Sequence, residues 1–408
     1  VLIAGAGTVG LAIAALIATE RAAERVHVHV FDARPLPKWR PEALDLRVYA
    51  LSRASQRLLE HVGAWPSVLA ARACPYRRMR VWEGDEPSGP ASLEFDSADI
   101  GEPDLGHIVE DCLLRTELAR VIAEQPEAEL TLGAELTDIA VTDHGVEVSL
   151  KDGGKLAGSL LIAADGSDSA VRGALDWPAA AHGYGQTALV THVASTLAHR
   201  HTAWQRFLPG GPLAFLPLAD GRSSVVWSLP SADAERLLAA PDAEVVEALQ
   251  AASAGVLGEL GPVAARAGFP LQALHAWRYC RARIALIGDA AHTVHPLAGQ
   301  GMNLGLLDAA CLAEEFRRAL VNREDPGDLK VLRRYERRRK GENLEMLLAF
   351  DGLNRLFRLP EWAAPMRAAG LRAVNGSGAP KRLLMRRALG LNARGQKGLR
   401  YFDDLRQA

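Results

Sequence analysis

Val1-Leu2-Ile3-Ala4-Gly5-Ala6-Gly7-Thr8-Val9-Gly10 opens the chain, and its reading decides the fold. The apolar run over residues 1–4 has the pattern of a fully buried strand. A stretch rich in Ala, Leu and Ile, Leu11 to Ala23, predicts a helix, and the alternating run Val26-His27-Val28-His29-Val30-Phe31 predicts a second strand that ends at Asp32. Strand, glycine turn, helix, strand and acid, in that order, make a dinucleotide-binding βαβ unit. Gly5 permits the tight turn, Gly7 lets a pyrophosphate approach the backbone, and Gly10 lets helix and strand pack closely. The helix N-terminus offers free N–H groups and partial positive charge to phosphates. Asp32 is placed to accept hydrogen bonds from a ribose diol, which favours FAD or NAD over NADP; the motif does not choose between the first two.

Two later blocks repeat the logic. Leu160-Leu161-Ile162-Ala163-Ala164 leads into Asp165-Gly166-Ser167-Asp168-Ser169-Ala170-Val171-Arg172, and Arg283-Ile284-Ala285-Leu286-Ile287 leads into Gly288-Asp289-Ala290-Ala291-His292. Each is a buried strand that delivers a carboxylate to its C-terminal end, where ligands bind in open α/β sheets. The second block continues Thr293-Val294-His295-Pro296-Leu297-Ala298-Gly299-Gln300-Gly301-Met302-Asn303-Leu304 into a helix expected from Gly301 to Leu320. Its glycine-rich start suits negative charge on a ring, such as the N1–C2=O edge of a reduced flavin. Either block alone also reads as an ordinary strand ending in a capped turn; the pair together does not.

With these three motifs the chain resembles the group A flavoprotein aromatic hydroxylases, and within them the ubiquinone-biosynthesis hydroxylases. The blocks Gly106-His107-Ile108-Val109-Glu110, Trp204-Gln205-Arg206-Phe207-Leu208-Pro209 and Pro212-Leu213-Ala214-Phe215-Leu216-Pro217-Leu218 share in the likeness, as does the tail Lys381 to Leu391. The resemblance implies FAD as cofactor, NAD(P)H as transient reductant and O2 as co-substrate. Gly5, Gly7, Gly10 and Asp32 would then hold the adenosine and pyrophosphate, and Asp165-Gly166 would serve both FAD and NAD(P)H. Gly288-Asp289 would bind the ribityl chain, with Pro296, Gly299, Gln300, Gly301, Met302 and Asn303 facing the isoalloxazine. Arg47 matches an arginine used near FAD and NAD(P)H. Asp111 falls where relatives place an amide donor, a role that a carboxylate fills only when protonated. Phe215, Leu216 and Pro217 are candidate substrate contacts.

The reaction so implied hydroxylates the ring of a polyprenylated phenol or quinol in ubiquinone biosynthesis through a C4a-hydroperoxyflavin. The chain shows one dinucleotide unit and no second glycine fingerprint, which suits a nicotinamide that visits and leaves. No side chain stands out as a required acid or base. His292 and His295 flank the flavin motif and are candidates to relay a proton or polarise a phenol, against a reading in which both merely bond backbone in a tight turn. Two alternatives stay open: a flavin-dependent reductase of prenyl chains, and an FAD-binding assembly component of a quinone-biosynthesis complex.

Composition narrows the field further. The 408 residues are 49% hydrophobic and 24% charged, with a net charge of −2, which excludes disorder and collagen and gives no global field for nucleic acid. H-E-x-x-H, G-K-[ST] and G-x-S-x-G are all missing, so metalloprotease, P-loop and α/β-hydrolase readings lack support. Four separated cysteines predict neither a metal site nor disulfides, and point to a reducing cytosol. The apolar first eighteen residues lack a basic leader and carry the three glycines, so they read as neither signal peptide nor span. The missing initial Met suggests that a few residues precede Val1. From Glu315 to Ala408 there are 22 basic and 11 acidic residues. This basic end is expected to touch an anionic lipid surface or a partner of a quinone-biosynthesis complex, with the protein cytoplasmic and peripheral at the inner face of the membrane. Within it, Leu384, Ala388 and Leu391 share a helical face, with Lys381, Arg382, Arg386 and Arg387 mostly elsewhere.

The expected fold class is α/β: a Rossmann-like FAD-binding domain (1–75, 101–178 and 271–350), an inserted antiparallel-sheet substrate domain (76–100 and 179–270), and a helical basic C-terminal segment (351–408). Strands are expected at 187–195, 203–208, 212–218 and 223–229, with Phe207, Phe215 and Trp227 facing the flavin. Helices are expected at 232–240, 243–254, 328–357, 362–374 and 381–389, with a turn at 376–380.

Overall fold

A computed structural model describes residues 1–20, 26–295 and 299–391. Its centre is a six-stranded sheet, in spatial order Cys280–Arg281, Ile284–Leu286, Leu161–Ala163, Leu2–Ala4, Val28–Asp32 and Ala128–Leu132. All neighbours run parallel except the Cys280–Arg281 edge. Leu2 lies opposite Leu161 on one side and His29 on the other, and Leu161 lies opposite Ile284. The strands that precede the three motifs are therefore adjacent and in register, so their loops emerge at one edge. Leu2–Ala4, Leu161–Ala163 and Ile284–Leu286 are buried throughout, which is why they read as unbroken apolar runs.

The first helix, Thr8–Ala18, is buried at nearly every position. It ends at Ala18, where the Thr19 hydroxyl (2.7 Å) and backbone N–H (2.9 Å) both donate to the Ala15 carbonyl; residues 21–23 of the expected helix lie outside the described residues. Gly5 holds φ +105° against Ala164, and a Cβ on Gly10 would sit 2.0 Å from the Gly5 carbonyl oxygen. Both glycines thus shape the turn that the sequence assigned to them.

Two long helices, Gln300–Val321 and Leu329–Phe357, pack against each other, and the former also packs on the first helix. A fully buried carboxylate joins them. Asp308 Oδ1 accepts from Arg339 Nε (2.7 Å) and Asn343 Nδ2 (3.0 Å), while Oδ2 accepts from the Gly288 N–H (3.1 Å) and meets His292 Nε2 at 2.5 Å. Burial pushes this carboxyl up, but His292 and Arg339 beside it prevail and bring it down to about 2.

The second large sheet runs His292–Thr293, Ala267–Ala276, Ala179–Ser195, Ser223–Pro230, Gly211–Pro217, Thr202–Leu208, Arg78–Glu83 and Ser92–Asp96, with Leu260–Val263 also pairing on Ala179–Ser195. The helices Ser231–Ala239 and Asp242–Ser253 cover one face, and their Leu237, Val245 and Leu249 pack on Leu213, Phe215 and Trp227. Phe215 and Trp227 therefore point away from the cofactor side, contrary to expectation, because the helix-covered face is where bulky side chains find an apolar partner. Phe207 lies on the opposite face and stacks on Phe357 at 3.6 Å.

The chain continues through Ala364–Gly376 and Gly378–Ala388. The expected turn at 376–380 shrinks to Ser377, since Pro380 sits in the first helical turn, where its missing N–H costs nothing. In the last helix Met385 and Leu389 are the buried positions, packed with Tyr76, Ile100 and Ile108. Leu384 and Ala388, on the face expected to meet a surface, stay exposed, and Leu391 is half-buried. Residues 392–408 lie outside the described residues. All four cysteines are buried and free, and burial pushes the thiols up, Cys74 to about 11 and Cys280 and Cys311 to about 12.

Removing one partner of a buried ion pair costs about 3–5 kcal/mol, so Asp308→Ala should destabilise the protein on that scale in denaturant titration, with Asp308→Asn intermediate. Gly10→Ala should fail to give a folded protein, because its Cβ meets backbone rather than a side chain able to move.

Candidate active site

The C-terminal edge of the parallel sheet and the uncovered face of the second sheet enclose one cleft. On the sheet-edge side, Gly7 opens onto it with no atom within 4 Å of where its Cβ would be. Gly7 has ordinary extended backbone (φ −73°), so its conformation does not demand glycine, and the space before it would admit a ligand. Asp32 is locked at the end of its strand: Oδ2 accepts from the Ala6 N–H (2.8 Å) and Oδ1 from the Arg34 N–H (2.8 Å). A carboxylate has about four acceptor sites, which leaves lone pairs for a diol.

The Asp-Gly loop places Asp165 and Gly166 on the same wall. Asp165 Oδ2 accepts from the Val171 N–H (3.0 Å), while Oδ1 is buried with no partner among the described residues. Burial pushes the Asp165 carboxyl up. Arg172, to which the sequence reading gave no role, donates to the carbonyls of Ser167 and Ala290 (2.8 Å to the latter), stapling this loop to the Gly-Asp loop.

Asp289 stands open to the cleft, with no hydrogen-bond donor to its carboxylate among the described residues. Protein packed around it pushes its carboxyl up, while His292 and Arg47 pull the other way. Arg47 also lines the cleft, over the Phe269 ring at 4.9 Å, its charge held by Tyr49 and by Asp111, Asp289 and Asp45. Asp111 lines the cleft with its carboxylate already engaged. It accepts from the Thr8 hydroxyl (2.8 Å) and faces Arg115 at 3.7 Å, so it anchors the first turn of the first helix.

In the glycine-rich turn, Gly299 caps the long helix at φ +60°, and Gly299, Gly301 and Met302 line the cleft. Asn303 does not. Its Oδ1 accepts from the Ser52 N–H (2.9 Å) and the Ser55 hydroxyl (2.7 Å), and its Nδ2 donates to the Ala50 carbonyl (2.9 Å), clamping the turn to Val48–Leu51. Gln300 stays off the wall as well and accepts from Asn303 at 3.4 Å. Gly5, Gly10 and Gly288 shape their turns without reaching the cleft, and Pro296 lies outside the described residues.

His292 and His295 also sit behind the wall. His292 is committed to Asp308. His295 is fully buried with the edge of its ring on Tyr184 (4.9 Å), and neither ring nitrogen has a partner among the described residues. Burial holds its pKa down to about 4, so it is neutral at pH 7.

Across the cleft, Leu216 lines the wall, whereas Phe215 and Pro217, one residue to either side, do not. The remaining wall is small and apolar at Ala203, Pro212, Ala214 and Val226, with Gln205 and Ser228 as its polar points. Neither makes a side-chain hydrogen bond to a described residue, so both are free for a ligand. Gln205, Ser228 and Arg172 escaped the sequence reading. The signal for the first two was the period of two: the small and polar alternates, not the aromatics, mark the ligand face.

Gly7→Ala should fold with an unchanged melting temperature and yet lose adenine-dinucleotide binding, which calorimetry would separate from a folding defect. His295 titrates near 6.5 when unfolded and about 4 when folded. Between those values the unfolded state binds more protons, so stability falls as pH drops from 6.5 to 4, by about 1.4 kcal/mol per pH unit for this group. His295→Phe should flatten that limb in denaturant titrations at stepped pH.

The chain matches the FAD binding domain family over residues 1–345. It is 38% identical to the ubiquinone hydroxylase UbiL of Rhodospirillum rubrum, over 96% of this chain and 89% of that one. It is 36% identical to 3-demethoxyubiquinol 3-hydroxylase of Escherichia coli, over 96% and 98%. Among solved structures, p-nitrophenol 4-monooxygenase PnpA of Pseudomonas putida superposes with a TM-score of 0.76 at 20% identity, covering 96% of this chain and 98% of that one, a likeness of fold. A cleft walled by the glycine turn, the Asp-Gly loop and the Gly-Asp loop, and a match over most of the chain, make this protein a member of the FAD binding domain family, among the FAD-dependent aromatic hydroxylases.

Proposed function

We propose that this enzyme hydroxylates the aromatic ring of a polyprenylated phenol or quinol in ubiquinone biosynthesis, consuming NAD(P)H and O2. The observation that carries the reading is one continuous cleft with two unlike walls: a cradle of loops and carboxylates for FAD, and a small-residue sheet face for a flat ring. The residues present fit FAD on the structure's own terms, through the open space at Gly7, the uncommitted Asp289 carboxylate and the orphaned Asp165 Oδ1. When bound, FAD supplies electron transfer from the nicotinamide and activation of O2.

The chain's own groups hold and orient. Asp32 takes ribose hydroxyls, Gly7 admits the pyrophosphate, and Asp289 takes ribityl hydroxyls. The free N–H groups at the start of the Gln300–Val321 helix face the ring and favour negative charge there. Arg47 faces Asp111, Asp289 and Asp45 and balances part of their charge. Gln205 and Ser228 hold the substrate's ring oxygens, and the alanines and Val226 beside them leave room for the ring while excluding water. We further propose that the protein works from the cytoplasmic side, at the inner face of the membrane that holds its substrate. No helix among the described residues is long and apolar enough to cross a membrane.

Purified protein should be yellow and release FAD, not FMN, on denaturation. Asp289→Ala should weaken FAD binding by about 1–3 kcal/mol, the scale of a charge-assisted hydrogen bond. Gln205→Leu should raise the quinol KM roughly tenfold with FAD binding intact, the equivalent of about 1.4 kcal/mol. Mass spectrometry of the product decides the reaction class: one added oxygen is expected, and added hydrogens without oxygen would assign the chain to prenyl reduction instead.

A further inference from the structure

Among the described residues, nine of the fifteen large apolar side chains that stand exposed fall between Leu344 and Leu384. The long helix Leu329–Phe357 changes character along its length. Its first half exposes Arg333, Arg337 and Gly341, an ordinary solvent face. From residue 344 to 359, just past its end, ten residues are exposed, and five of them are leucine: Leu344, Leu348, Leu353, Leu356 and Leu359. Trp362 and Met366 follow at 69% and 70% exposure. The same stretch buries Phe350, Asn354 and Phe357 on its other side, so its inner contacts are already satisfied.

The helix Ala364–Gly376 that carries Met366 is held in an unusual way. Its one buried residue is Arg367, whose guanidinium meets Glu83 (2.5 Å) and donates to the Leu359 carbonyl (3.0 Å). An ion pair fixes its orientation and leaves Met366, Ala369 and Ala373 facing outward. Cations outnumber carboxylates on this surface, where Arg355, Arg358 and Arg372 are exposed beside one exposed acid, Glu361. Arg358 and Arg372 are exposed with no carboxylate partner among the described residues, while Asp351 is matched by Arg355 at 2.9 Å.

We infer that the end of the long helix and the following helix, from Leu348 to Arg372, form a face that docks on an anionic bilayer surface. Leucine, tryptophan and methionine enter the headgroup boundary, and Arg358 and Arg372 meet lipid phosphates. The face lies directly behind the cleft. Phe357 stacks on Phe207 inside the cluster that also holds Met79 and Val294, and both of these reach the cleft wall. The inference rests on the proposed lipid-tailed substrate, which a bilayer would supply within one apolar cluster of the reaction site. The face lies ahead of the expected tail contact in the chain; the last helix packs Met385 and Leu389 on the body and leaves Arg382, Leu384 and Arg386 exposed.

The test is co-sedimentation of the FAD-loaded full chain with vesicles of phosphatidylcholine alone or enriched in phosphatidylglycerol, at low and high salt. Wild type should sediment with the enriched vesicles at low salt and be released by high salt. Trp362→Ser with Met366→Ser should weaken retention by at least about tenfold, since either side chain gains more than 1.4 kcal/mol on full burial. Arg358→Glu with Arg372→Glu should abolish the preference for phosphatidylglycerol. Both pairs are exposed, so melting temperature and bound flavin should not change, which separates docking from folding. Equal retention of all forms, or none for wild type, overturns the inference. So does a switch from dimer to monomer in the Trp362/Met366 variant without loss of vesicle binding, which would make the face a protein interface. Hydroxylation of a short-tailed, water-soluble quinol is assayed in parallel: its absence sinks the proposed function while leaving vesicle binding to stand or fall alone.

Discussion

One carboxylate, Asp308, holds the cofactor cleft in shape. It has no solvent contact, and its two oxygens are shared among a backbone N–H at the start of the Gly-Asp loop, a histidine at the end of that loop, and an arginine and an asparagine one helix away. A charge so placed is expensive to bury and worthwhile only when every lone pair is used. The requirement runs outward from there. Arg339 and Asn343 fix the long helix against its neighbour, the Gly288 N–H fixes the turn that aims Asp289, and Arg172 then ties the Asp-Gly loop to the same turn. The three loops form one wall because a single buried ion dictates the position of one of them and short hydrogen bonds pass it on.

Much of this was legible in the residues. The strands of the three motifs, the glycine turn and the acids at the strand ends follow from local patterns, and local patterns survive folding when the partner surface is apolar on both sides. Asp289, Asp165 and Gly7 could be placed for that reason. The positions left ambiguous share a cause. Asn303, His292 and Asp111 are polar residues inside or beside motifs, and a motif does not say whether a polar group faces a ligand or satisfies the backbone of a distant segment. Asn303 spends its amide on residues some 250 positions earlier in the chain. Asp308 and Arg339 stood out in no local pattern, because neither sits at a strand end or in a glycine turn.

The second sheet teaches the complementary lesson. Aromatic residues in a strand attract attention as ligand contacts, but a cleft must remain empty enough to receive something. Phe215 and Trp227 therefore belong to the face that two helices cover, while alanine, valine, serine and glutamine look into the cleft. In a strand the choice between these faces turns on a shift of one residue, and only the position of the covering helices resolves it.

The four buried thiols bear on how such an enzyme ages. Chemistry that activates O2 generates peroxide whenever reduced cofactor turns over without substrate, and thiolates, not thiols, are what peroxide attacks. With Cys74 at about 11 and Cys280 and Cys311 at about 12, the ionised fraction at neutral pH is on the order of one part in ten thousand or less. The interior thus carries its sulfur in the form least open to sulfenic acid, and oxidative damage during idle turnover falls first on exposed sulfur, of which Met366 is the most open among the described residues.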